Sequence, residues 1–185
     1  MATQAAPEAL PEIARSNWAG EMRYVARQPI LNLKGRVHAY ELLFRSAPEA
    51  SGGPDAVAAA RTMLDNAVIF GLEWLTNGLP AFVSCTLESL TEQFVLVLSP
   101  QTTVLAIPAN LELTPRLIDV CRDLTARGFR LALDDFAWKS EQTPLAEMAD
   151  YIRVDFTRFG AAERQYLRRL HCPPISMVAK KVETT

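Results

Sequence analysis

Two adjacent carboxylates, Asp134 and Asp135, follow directly on the apolar run Leu131-Ala132-Leu133. Packing does not explain them, because burying an unpaired charge is costly. At the C-terminal end of a parallel strand such a pair stands where α/β folds assemble their active sites, and its chemistry is that of a divalent metal site. The other reactive side chains form no such group. His38 falls within a strand pattern and reads as a structural histidine. His171-Cys172 runs into Pro173-Pro174, a loop signature, and lacks the further ligands a zinc site needs. Cys85, Cys121 and Cys172 are widely spaced and odd in number, without a CxxC pair, which argues against a disulfide framework and suits a reducing cytoplasm. Trp18, Trp74 and Trp138 show no spacing for a base-stacking platform.

The elements that must position the aspartates can be read from periodicity and turn residues. Tyr24–Leu31 and Val37–Phe44 are expected to form a hairpin around Asn32-Leu33-Lys34-Gly35. A Ser-, Gly- and Pro-rich loop (46–54) precedes a helix expected over 56–74, with Val57, Leu64, Val68 and Leu72 on one face. Strands over 81–85, 103–107, 130–133, 151–154 and 175–179 then alternate with helices over 87–98, 114–127, 144–148 and 161–170. Gly128 marks the end of the 114–127 helix. Such alternation implies crossover connections and a parallel sheet covered by helices. Six strands follow the opening one, and an eight-stranded barrel takes about 200 residues or more, so the barrel is expected to be incomplete at its C-terminus.

With 185 residues, one domain is the simplest arrangement: a mobile Ala-, Pro- and Glu-rich arm over 1–21, then a folded unit over 22–185. The composition, 49% hydrophobic and 22% charged, is that of a globular protein. A net charge of −2 gives no electrostatic case for a nucleic-acid polymer or an anionic membrane as partner. No apolar run approaches a membrane span, and the N-terminus lacks the pattern of a signal peptide.

Four stretches in order carry a resemblance: Tyr24-Val25-Ala26-Arg27-Gln28-Pro29-Ile30, Tyr40-Glu41-Leu42-Leu43-Phe44-Arg45, Leu133-Asp134-Asp135-Phe136 and Val178-Ala179-Lys180-Lys181-Val182-Glu183-Thr184. From Tyr24 onward the chain resembles the EAL domain, a family of bacterial cyclic-di-GMP phosphodiesterases and their inactive relatives. It is most similar to the shortened EAL domain that precedes a helical HDOD domain. The resemblance implies an α/β, TIM-barrel-like fold with an antiparallel first strand. It also implies one or two Mg²⁺ or Mn²⁺ ions at the C-terminal ends of the strands, which would polarise a phosphodiester and supply hydroxide.

Position by position the resemblance is incomplete. The metal ligands it implies are present at Glu41, Asp134 and Asp135. Where the family carries an Asn ligand stands Ser84, and where it carries a Glu ligand stands Ala106. Its lysine near the attacking water is Arg153, and its catalytic carboxylate is Lys180. Losing one carboxylate and reversing another moves the site about three charge units towards positive. One adverse charge at ~4 Å costs about 4 kcal/mol at an effective dielectric of 20. The implied metal set is therefore vestigial, with no cofactor expected and Mg²⁺ or Mn²⁺ the ions for any residual binding. Gln28 and Arg45 match positions beside the family's nucleotide.

The expected function is a catalytically degenerate EAL domain acting as a regulatory or interaction module in cytoplasmic cyclic-di-GMP-type signalling. The alternatives are a receptor that binds cyclic-di-GMP without cutting it and a weak Mg²⁺-dependent phosphodiesterase. Asp134-Asp135 are expected to pair with Arg153 and Lys180, and Glu41 with Arg45 or Lys180. The expected partners are cyclic-di-GMP, an HDOD or other protein domain, or a second copy closing the exposed sheet edge.

Overall fold

The opening hairpin is set by its turn. Asn32 Oδ1 accepts hydrogen bonds from the backbone N–H groups of Lys34 (2.9 Å) and Arg36 (3.1 Å). Gly35 takes the left-handed φ of 71° that closes the turn. The flanking strands are β1 (Tyr24–Leu31) and β2 (Val37–Arg45), antiparallel, with Gln28 opposite Glu41 and Ile30 opposite Ala39. Pro29 is tolerated in β1 because β1 is an edge strand and has one side free of ladder bonds. The computed structural model describes residues 24–45, 71–108, 110–134, 143–155, 157, 160 and 175–181.

Beyond the hairpin the described elements alternate. They are α1 (Leu72–Thr76), β3 (Ala81–Ser84), α2 (Leu87–Thr91), a 3₁₀ turn (Phe94–Val97), β4 (Thr103–Ile107), α3 (Pro115–Ala126), β5 (Arg130–Asp134), α4 (Thr143–Ala146), β6 (Tyr151–Asp155) and β7 (Ser176–Lys180). Strands β2 to β7 are parallel neighbours in sequence order, so the sheet runs β1-β2-β3-β4-β5-β6-β7 with one antiparallel pair at its start. Every residue of β4 and β6 is buried, as expected for parallel strands covered on both faces.

The two faces hold two cores. On the helix side, Leu42, Val83, Leu105, Ile107, Leu131, Leu133, Ile152 and Val154 pack with Leu90, Leu117, Cys121 and Leu124. On the other side Ala39, Phe82, Val104, Ala106, Ala132 and Tyr151 form a smaller cluster, with Phe82 edge-on to Tyr151 at 5.0 Å. That second face is concave. Arg153 on β6 forms an ion pair with Glu41 on β2. Four strand spacings in a flat sheet would separate those strands by about 19 Å, beyond the reach of the two side chains. The sheet therefore curls into a TIM-barrel-like wall. It is incomplete, because β1 and β7 do not pair with each other among the described residues.

Local chemistry explains the helices. Thr114 caps α3 by accepting from the N–H of Leu117 at 3.2 Å, and Pro115 occupies the first turn, where its missing N–H costs nothing. Leu117, Cys121 and Leu124 form the buried stripe, and Gly128 follows at φ 91°. Burying each of these leucines contributes about 1.5–3 kcal/mol.

One expected element is broken. The helix expected over 87–98 stops after Thr91, Gln93 adopts a left-handed φ of 58°, and the chain continues as the 3₁₀ turn. Leu90 and Val95 are both fully buried across that break. Of the helix expected over 56–74, only its end falls in α1. The 46–54 loop, the 161–170 helix and the N-terminal arm lie outside the described residues. Among the described residues, no helix is long and apolar enough to cross a membrane.

Candidate functional site

Strand periodicity brings the sequence-derived candidates to one rim. Counting by twos from the concave cluster places Glu41 (β2), Ser84 (β3), Ala106 (β4), Asp134 (β5), Arg153 (β6) and Lys180 (β7) on the same face. Ser84, Asp134 and Lys180 are the last residues of their strands, so this face opens at the C-terminal mouth of the half-barrel. Ser84 is exposed there, and Ala106 presents a buried methyl group.

Arg153 is the centre of the mouth. Its side chain is 1% exposed, and Nη2 donates to Glu41 Oε1. Its Nε lies 3.2 Å from Asp134 Oδ1, an ion pair without hydrogen-bond alignment. Lys180 Nζ donates to the other oxygen of Asp134, also at 3.2 Å. The guanidinium carbon sits 5.8 Å from the centre of the Phe82 ring, within cation–π range. Among the described residues of the cluster, two acids thus face two bases.

The surroundings tune these acids in opposite directions. Burial pushes the Asp134 carboxyl up, while the charges of Arg153 and Lys180 pull it back down. Asp155, two residues beyond Arg153, lies well below the usual carboxylate range. The cause is first its hydrogen bond from Lys181, then its bonds from Thr157. Lys181 Nζ is 2.7 Å from Asp155 Oδ2, and the Thr157 N–H and Oγ1 donate to Asp155 Oδ1 at 2.9 and 2.6 Å.

The structure brings together Glu41, Asp134, Arg153 and Lys180. Glu41 pairs with Arg153, whereas the sequence suggested Arg45 or Lys180. Gln28 is exposed on β1, opposite Glu41 in the register. Arg45 ends β2, and its side chain lies outside the description, as do Asp135, Trp138, His171 and Cys172. His38 is exposed near the start of β2, its ring 6.4 Å from that of Tyr151. Burial pushes the Cys85 thiol, just past β3, up to about 12, and that of Cys121 up to about 11. Sequence reasoning missed the Asp155–Lys181 pair. The available signal was the two-residue step from Arg153 to Asp155, which puts both on one strand face. Among the described residues, no group of three or more His, Cys, Asp or Glu could hold a metal ion.

Solved structures share this architecture. The YkuI protein of Bacillus subtilis, which has an EAL domain and was solved with cyclic-di-GMP and calcium, superimposes with a TM-score of 0.66 at 15% identity. That match covers 88% of this chain and 50% of YkuI. The chain is an EAL-like half-barrel with an antiparallel opening strand pair. In sequence it is 33% identical over 169 residues to YuxH of Bacillus subtilis, covering 87% of this chain and 41% of that protein. It is 30% identical over 141 residues to the cyclic di-GMP phosphodiesterase CdgJ of Vibrio cholerae, covering 74% of this chain and 32% of CdgJ. The chain therefore spans less than half the length of either relative. No protein-family model matches it.

Proposed function

We propose that this chain is a catalytically degenerate EAL domain that serves as a regulatory or interaction module in bacterial cyclic-di-GMP-type signalling. The names of CdgJ and the ligand of YkuI supply the signalling context. The observation that carries the degenerate reading is the pairing of Arg153 and Lys180 with Glu41 and Asp134. A hard divalent cation needs free carboxylate oxygens converging from several strands. Here both described acids of the mouth already face protein cations, and Ala106 offers a methyl group where the resemblance implies an oxygen. The donor set does not fit a pair of divalent metals. Where the resemblance implies a carboxylate base stands Lys180, whose Nζ donates to Asp134. In this reading the domain acts through protein contacts, with an HDOD-type helical domain or a second copy as partner.

Calorimetry with cyclic-di-GMP, in Mg²⁺ and in EDTA, tests the proposal. No metal-dependent binding is expected. Metal-independent affinity tighter than ~10 µM that vanishes in Arg45→Ala would replace the module by a non-hydrolysing receptor using Gln28 and Arg45.

A further inference from the structure

Among the described charged residues of the mouth, Arg153 alone meets acids from two strands, its neighbour β5 and the distant β2. From β6 it reaches Glu41 on β2 and Asp134 on β5, with its side chain 1% exposed. A divalent cation placed there would act in the same way, drawing carboxylates from separate strands to one positive centre. Building on the metal-free reading of the mouth, we infer that Arg153 is a positioning residue that takes over the counter-charge role of a divalent cation. The half-barrel then keeps its mouth geometry without a metal.

The way the guanidinium is used supports this. Arginine normally recognises carboxylates with its planar fork through paired, aligned hydrogen bonds. Among the described residues, Nη1 and Nε find no hydrogen-bond partner although both are buried. The group acts mainly as a fixed charge between two acids, seated against the Phe82 ring. Lys180 supplies a second charge at the far oxygen of Asp134 and is itself 25% exposed at the side chain. The guanidinium is covalently part of the chain, so chelators do not remove this charge.

Replacing Arg153 leaves two acids without their shared counter-charge, which a metal ion can then supply. The test is thermal unfolding of Arg153→Met in EDTA and in millimolar MnCl₂, beside the wild type and the double variant Arg153→Met/Glu41→Gln. In EDTA, Arg153→Met is expected to unfold roughly 10 °C below the wild type. Mn²⁺ recovers part of that loss, the wild type does not respond, and the added Glu41→Gln abolishes the recovery. A merely packing role for Arg153 would show no rescue by a cation. Should Arg153→Met fail to fold, Arg153→Gln, which also removes the charge but keeps a polar side chain there, is measured in the same two solutions and should gain Mn²⁺-dependent stabilisation. The inference is overturned if Mn²⁺ stabilises the wild type as much as the variant, or if neither variant responds to it. Because unfolding is the readout, the two claims fail separately. Cyclic-di-GMP cleavage would end the functional proposal, while absent cation rescue would end only the role given to Arg153.

Discussion

Asp155 shows how a single carboxylate links the mouth to solution conditions. In the unfolded chain its pKa returns to about 3.9. In the folded chain Lys181 and Thr157 hold it lower, so the native state binds fewer protons there. The stability this contributes is fully present above the unfolded value and is lost as pH falls through the folded one. Asp134 has the opposite sign, because its folded pKa is raised. Its contribution is fully present below the unfolded value and fades as pH rises through the folded one. Asp155→Asn should therefore flatten the decline of the melting temperature between about pH 5 and pH 3. Melting curves of both proteins across that range would check it, and parallel declines would contradict it. The identities at this scale were readable from the chain, since Asp134, Arg153 and Lys180 each end or occupy an apolar strand. Their pairing was less so, because Glu41 and Arg153 are 112 residues apart and only the curl of the sheet brings them together.

At the scale of elements, α3 illustrates what local sequence can specify. A threonine cap, a proline in the first turn, three buried residues at helical spacing and a closing glycine all agree, and the helix runs almost as expected. Thr114→Ala removes the side-chain acceptor for the N–H of Leu117 and should cost about 1 kcal/mol, a drop of ~2–4 °C in melting temperature. Urea titration of the two proteins measures it, and an unchanged midpoint would show that the cap contributes nothing. The α2 region was less legible for a physical reason. Its break falls at Gln93 in a left-handed conformation, with neither glycine nor proline to announce it. Burial of Leu90 and Val95 on either side holds that turn in place, and burial of this kind belongs to the tertiary structure.

At the scale of the whole molecule, the half-barrel has an apolar floor and a charged rim. The floor of Ala39, Phe82, Val104, Ala132 and Tyr151 combines three smaller residues with two aromatic ones. The rim is closed by ion pairs drawn from β2, β5, β6 and β7. Both sheet edges stay unpaired among the described residues, and β7 carries Lys180 at its end, the kind of charge that discourages edge-to-edge aggregation. A general base of suitable pKa contributes ~10²–10⁴-fold to a hydrolytic rate, and in the proposed reading that contribution is lost because Lys180 stands where the resemblance implies a carboxylate. The most direct measurement is chromatography of cyclic-di-GMP after incubation with the purified protein and Mn²⁺ or Mg²⁺. No linear dinucleotide above the protein-free control is expected. Metal-dependent product that disappears in Asp134→Asn would contradict a mouth whose acids are held by protein cations.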